Sequence, residues 1–104
     1  KYDQFLASRL AHFLKRLEGV KEGKGTMLDN SIVLYGSGCS STHNYKNLPL
    51  ILAGGKNMGL KHGSYHNFED KLPMNNMHYS ILKATGIKAD SFGDSTGVLP
   101  AIFT

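Results

Sequence analysis

The stretch Gly36–Asn47 holds most of the side chains in this chain that are equipped for chemistry: Ser37, Cys39, Ser40, Ser41, Thr42, His43, Asn44 and Tyr45. Hydroxyl and thiol groups become nucleophiles when a base sits beside them, and an imidazole serves as that base or as a metal ligand. Ser37 lies in Gly-Ser-Gly, short of the full Gly-x-Ser-x-Gly elbow, and no convincing helix follows Gly38. A Ser–His hydrolase is therefore a poor fit. Hard divalent metals need carboxylates or several imidazoles, yet Gly36–Thr42 contains neither Asp nor Glu, so His43 cannot hold one unaided. A plainer reading has His43 and Asn44 bonding to nearby backbone and only shaping the loop.

Other candidates carry less. His62 and His66 have the four-residue spacing that joins two ligands on a helix, but Gly63 and the Gly/Ser/Asn-rich surroundings oppose a helix there. Met74 and Met77, with the earlier Met58, read as apolar packing rather than a soft-metal site. His12 borders an apolar stripe and reads as a boundary residue.

The elements that must position the loop are two apolar runs, Ile32–Tyr35 and Leu48–Ala53. Each is bounded by turn formers, and neither alternates apolar with polar, which predicts strands covered on both faces. The loop follows the C-terminal end of the first, where open α/β sheets place their ligands. Upstream, Phe5, Leu6, Leu10, Phe13, Leu14 and Leu17 recur at helical spacing after Asp3, a predicted cap, with the stop at Gly19 or, after one more turn over Val20–Glu22, at Gly23. Gly23-Lys24-Gly25 reads as a flexible connector; it lacks the spacing of a phosphate loop. A short edge strand is expected near Leu60–Tyr65. Pro73 opens a second helix with Met74, Met77, Ile81 and Leu82 as its buried stripe, and Gly86 ends it. A polar turn cluster, Ser91–Gly97, precedes the apolar Val98–Phe103.

A chain of 104 residues with 40% hydrophobic and 19% charged residues is at most one globular domain. Its net charge of +4 comes from basic residues scattered along the chain, a solvated surface rather than a nucleic-acid footprint. One cysteine forms no internal disulfide, and no run approaches the roughly 18 apolar residues of a membrane span. The chain starts at Lys1 without a signal-peptide pattern, and a processed or truncated piece is expected. Two doubly buried strands and two amphipathic helices make an incomplete α/β layer. Either the strands are antiparallel neighbours, or each pairs with strands outside this chain. The expectation is a segment that completes a larger sheet.

The runs GKGTMLDNSIVLYGSG, HNYKNLPLILAGG, GLKHG, LPMNNMHYSILKATGI and SFGDSTG occur in that order. Together they resemble the C-terminal end of an uncharacterised bacterial family grouped with the alkaline phosphatase and sulfatase superfamily. The resemblance extends from Tyr2 onward and covers about the last quarter of such a protein. It implies an α/β fold, the C-terminal portion of an alkaline-phosphatase-like three-layer α/β/α sandwich in helix-strand-strand-helix order, with residues 1–104 as a single segment of a larger sulfatase-like domain.

Superfamily enzymes take a divalent metal ligand from an Asp-His loop at a strand end. By resemblance His43 stands at the ligand histidine, with Ser37 and Asn44 as neighbouring contacts to a bound group. The acidic partner of that histidine is missing here. The implied activity is metal-assisted hydrolysis of a phosphate or sulfate ester with zinc, calcium or manganese, most ligands lying outside this chain. Cys39 stands in Cys-Ser-Ser, not in the Cys-x-Pro-x-Arg of a sulfatase nucleophile, and takes no such role. The implied partner is the N-terminal part of the same protein, or another chain completing the sheet; an exported or periplasmic location is likewise implied. The rival expectation is a non-catalytic binding or assembly module that kept the fold and lost the metal site.

Overall fold

The computed structural model describes residues 1–69 and 71–103. The chain is mixed α/β, with two helices and two small antiparallel sheets. Helix α1 spans Tyr2–Glu18. Its cap is Lys1, which makes no side-chain capping bond, while Asp3 lies inside the first turn. Asp3 is thus not the cap; a carboxylate there favours the positive end of the helix dipole instead. The Leu stripe is only half covered, Phe5 and Phe13 are exposed, and no residue of α1 is buried. His12 is exposed.

The expected connector after α1 is a tight hairpin. Strand β1 (Lys21–Glu22) pairs with β2 (Gly25–Thr26) around a Gly23-Lys24 turn. Gly23 takes φ +60, a conformation free of strain only without a Cβ, so the glycine that suggested flexibility instead fixes the reversal. Thr26 and Asp29 exchange backbone–side-chain bonds at 3.0 and 3.2 Å, and Asn30 bridges Glu22 and Asn57.

Strands β3 (Ile32–Gly36) and β4 (Leu50–Gly54) are antiparallel, with Ile32 opposite Gly54 and Gly36 opposite Leu50. Opposed residues share a face. Ile32, Leu34, Leu50 and Leu52 therefore lie on one side, and Val33, Tyr35, Ile51 and Ala53 on the other. Both sides are apolar, as in a sheet covered on each face. Among the described residues that cover is partial: Leu34 is 37% exposed on one side and Ile51 50% on the other, while the other strand side chains are half-buried. The strands are half-buried rather than buried on both faces as expected.

The edge strand expected at Leu60–Tyr65 reduces to a single bridge between Leu60 and Phe103, supported by Lys61 N–H donating to Ile102 O at 2.8 Å. A short 3₁₀ turn, Lys56–Met58, comes before it. Helix α2 runs Asn75–Ala84 with Met74 as its cap, so Pro73 lies just ahead of the helix; its carbonyl accepts from Asn76 N–H at 3.0 Å. Gly86, at φ +87, receives the chain after the last turn. The buried face of α2 is Asn76, Met77, Tyr79 and Ser80; of the predicted stripe Met77 is buried, but Met74 is exposed, and Ile81 and Leu82 are half-covered. Polar residues took the inward positions because the tail offers them partners. Asn76 Nδ2 donates to Thr96 Oγ1, Asn76 Oδ1 accepts from Thr96 N–H, and Ser80 Oγ accepts from Leu99 N–H. Tyr79 OH reaches Ala89 O at 2.9 Å.

The buried apolar core among the described residues is small: Leu60, Met77, Tyr79 and Leu99. The radius of gyration, 14.7 Å, exceeds the ~13 Å of a compact domain of this length. No helix among the described residues is long and apolar enough to cross a membrane.

Candidate functional site

Strand β3 delivers the chain at Gly36 into the Gly36–Asn47 loop. A Cβ at Gly36 would meet the Leu50 side chain across the hairpin, which would have to turn aside to admit it. Ser37 Oγ then accepts from Cys39 N–H at 3.3 Å. Next comes a reversal: Asn44 N–H donates to Ser41 O at 2.7 Å, and the two residues between, Thr42 and His43, have φ +46 and +61. That is the pattern of a type I′ turn, usually built from Gly, Asn or Asp. For a β-branched Thr it is an outlier, costing on the order of 1–3 kcal/mol. The turn is braced from below by Ser40, whose N–H and Oγ both donate to Asn44 O, and by Asn44 Oδ1, which accepts from Lys46 N–H at 2.9 Å.

Ser37 and Asn44 thus spend an oxygen each on holding the loop, in the shaping role that the plainer reading gave to Asn44. His43 does not share it. Among the described residues neither His43 ring nitrogen meets a hydrogen-bonding partner, and the ring stands at the tip of the turn, exposed to solvent. Cys39 is an exposed free thiol. Among the described residues no group of three His, Cys, Asp or Glu is placed to hold a metal ion. The donor set of the described residues therefore does not fit a divalent metal by itself.

A concavity lies elsewhere. A groove of about 950 Å³ runs along β4, with Leu48, Leu50, Leu52, Met77, Leu99 and Ile102 supplying its apolar surface. Ser40, Tyr45 and Lys46 of the loop also reach it, but Ser37, His43 and Asn44 do not. The opposite wall is Lys61–Glu69. Here the two histidines spaced four apart have separate duties. His62 Nε2 bonds to Gly54 O at 2.7 Å, and His66 Nε2 bonds to Ser64 Oγ at 3.0 Å while its ring stacks on Phe68. They sit on irregular backbone, so the helical spacing brings no shared ligand position.

The tie between His62 and the end of β4 left no mark in the sequence. The Asn76–Ser80 pair did: two polar residues four apart interrupt the apolar periodicity of α2, a sign that polar partners meet that face. Comparison with protein-family models, with curated proteins and with solved structures finds no match for this chain.

Proposed function

We propose that this chain is the C-terminal part of a hydrolase-like protein acting on phosphate or sulfate esters, with the strand-end loop contributing to the site. The observation that carries the reading is the left-handed Thr42–His43 turn. Backbone strain persists where surrounding structure over-determines it, and such positions cluster at functional sites. Here the strain lifts an imidazole with no protein partner to the tip of a loop at the C-terminal end of β3. His43 would act as one donor in a set completed by other parts of the protein, since the described residues alone do not supply enough ligands. Asn44 and Ser37 hold the turn that presents it. The two-sided apolar hairpin agrees with membership of a covered α/β/α sandwich.

A second reading, a binding or assembly module without catalysis, is favoured by one observation: Gly36–Asn47 contains no carboxylate to accompany His43. Metal content and ester hydrolysis of the full-length protein, with and without His43→Ala, separate the two. The hydrolase reading expects a stoichiometric divalent metal, with metal and activity both lost in the variant. Metal content and hydrolysis indifferent to His43→Ala would leave the module.

A further inference from the structure

Helix α1 sorts its side chains by kind. At about 100° per residue, Leu6, Leu10, Leu14 and Leu17 fall on one half of the helix, together with both of its acids, Asp3 and Glu18. The other half takes all of its aromatic rings, Tyr2, Phe5 and Phe13, and all of its permanent cations, Arg9, Lys15 and Arg16. Solvent exposure follows the same division. The four leucines are the half-covered residues of α1, and every residue on the opposite half is exposed. Tyr2 is 73% exposed, Phe5 58% and Phe13 49%, although such rings ordinarily go inside.

Rings and guanidiniums also share one strip. Phe5, Arg16, Arg9, Tyr2 and Phe13 lie within about 80° of one another around the helix axis. The Arg9 guanidinium stands 5.8 Å from the centre of the Phe5 ring. A strip with two guanidiniums and no carboxylate calls for an anion, and three open rings call for somewhere apolar. A bilayer with anionic headgroups offers both at adjoining depths. Rings settle at the boundary between headgroups and acyl chains, while the long arginine side chains beside them reach the phosphates.

The shape of the strip weighs against the other anionic surfaces. A nucleic-acid strand stacks its bases on aromatic platforms along a groove, whereas Phe5 and Phe13 stand about 12 Å apart on a convex rod. A second copy of this chain would set the same cations against each other. A fluid headgroup layer moulds itself to a convex rod and needs no matching relief.

We infer that α1 docks this chain on the surface of an anionic membrane, lying in the headgroup plane with Tyr2, Phe5 and Phe13 turned into it and Arg9 and Arg16 on lipid phosphates. The leucine half stays on the body of the protein. The attachment is peripheral, since α1 is neither long nor apolar enough to span a bilayer. It stands independently of the hydrolase reading.

The chain contains no Trp, so Phe13→Trp places a single fluorescent reporter on the strip. The test titrates that variant with vesicles of phosphatidylcholine alone, and with vesicles of equal parts phosphatidylcholine and phosphatidylglycerol. The expected result is blue-shifted, saturable emission with the anionic vesicles, at an affinity about tenfold or more above that for phosphatidylcholine alone. In the same background Arg9→Glu/Arg16→Glu should weaken binding by about tenfold or more, and the milder Arg9→Gln/Arg16→Gln should fall between. Lys46→Glu/Lys88→Glu makes the same change in net charge at exposed residues off the helix and should leave the affinity within about twofold. Far-ultraviolet circular dichroism should show the same helicity in all of them. Unshifted emission with the anionic vesicles would overturn the inference. Equal losses in the arginine and lysine pairs would overturn it in favour of net charge alone. Tighter binding to single-stranded oligothymidine than to the anionic vesicles would overturn it in favour of a nucleic-acid face.

Discussion

Helix α2 with its tail and the β3–β4 hairpin are built from comparably apolar sequence, yet they end in opposite conditions. The α2 region closes on itself. Asn76 and Ser80 are each 3% exposed and fully engaged with Thr96 and Leu99, and three of the four buried apolar residues, Met77, Tyr79 and Leu99, lie here. The hairpin pairs its inner backbone groups and ties Gly54 O to His62, but leaves apolar side chains such as Leu34 and Ile51 exposed on its two faces. The contrast teaches that hydrophobic pattern alone does not bury a strand. A layer must exist to cover it, and among the described residues β3 and β4 are covered only in part.

The comparison can be broken most forcefully at Met77. Met77→Ala should cost roughly 2–5 kcal/mol, enough to abolish a cooperative thermal transition in so small a core. Asn76→Ala should follow at about 1–3 kcal/mol, since Thr96 N–H loses its acceptor in a half-buried setting; urea denaturation reads it. Gly54→Ala should cost about 1 kcal/mol or more in the same measurement, because φ +76 disfavours a Cβ and that Cβ would meet Ser31 O and Leu28 O. Thr42→Gly should stabilise slightly, by about 1 kcal/mol, by relieving the left-handed turn. Smallest of all, Ile51→Thr should stay within about 0.5 kcal/mol in the chain alone. A large loss at Ile51 would show that the hairpin is as well covered as α2, and the contrast would fail.

Element existence was legible where periodicity is strong. Both helices and both main strands lie where apolar spacing and glycine stops predict them, because those signals are local. The hairpin at Gly23 was hidden by its composition: the same glycines mark a loose linker and a tight turn, and only the pairing of Lys21 with Thr26 tells them apart. The inward face of α2 was misread because its cover is a tail about 20 residues downstream, whose Thr96 and Leu99 reward polar groups at Asn76 and Ser80. The loop was legible as a concentration of reactive residue types. That Thr42 and His43 adopt a left-handed turn was not, since neither residue favours it.

Backbone hydrogen exchange of the chain by itself tests most directly whether β3 and β4 await a covering layer. The account predicts slow exchange at the hydrogen-bonded amides of Tyr79–Leu82 and markedly faster exchange throughout Ile32–Gly36 and Leu50–Gly54, by about tenfold or more. Equal protection of hairpin and helix, both exchanging only through global unfolding, would contradict it.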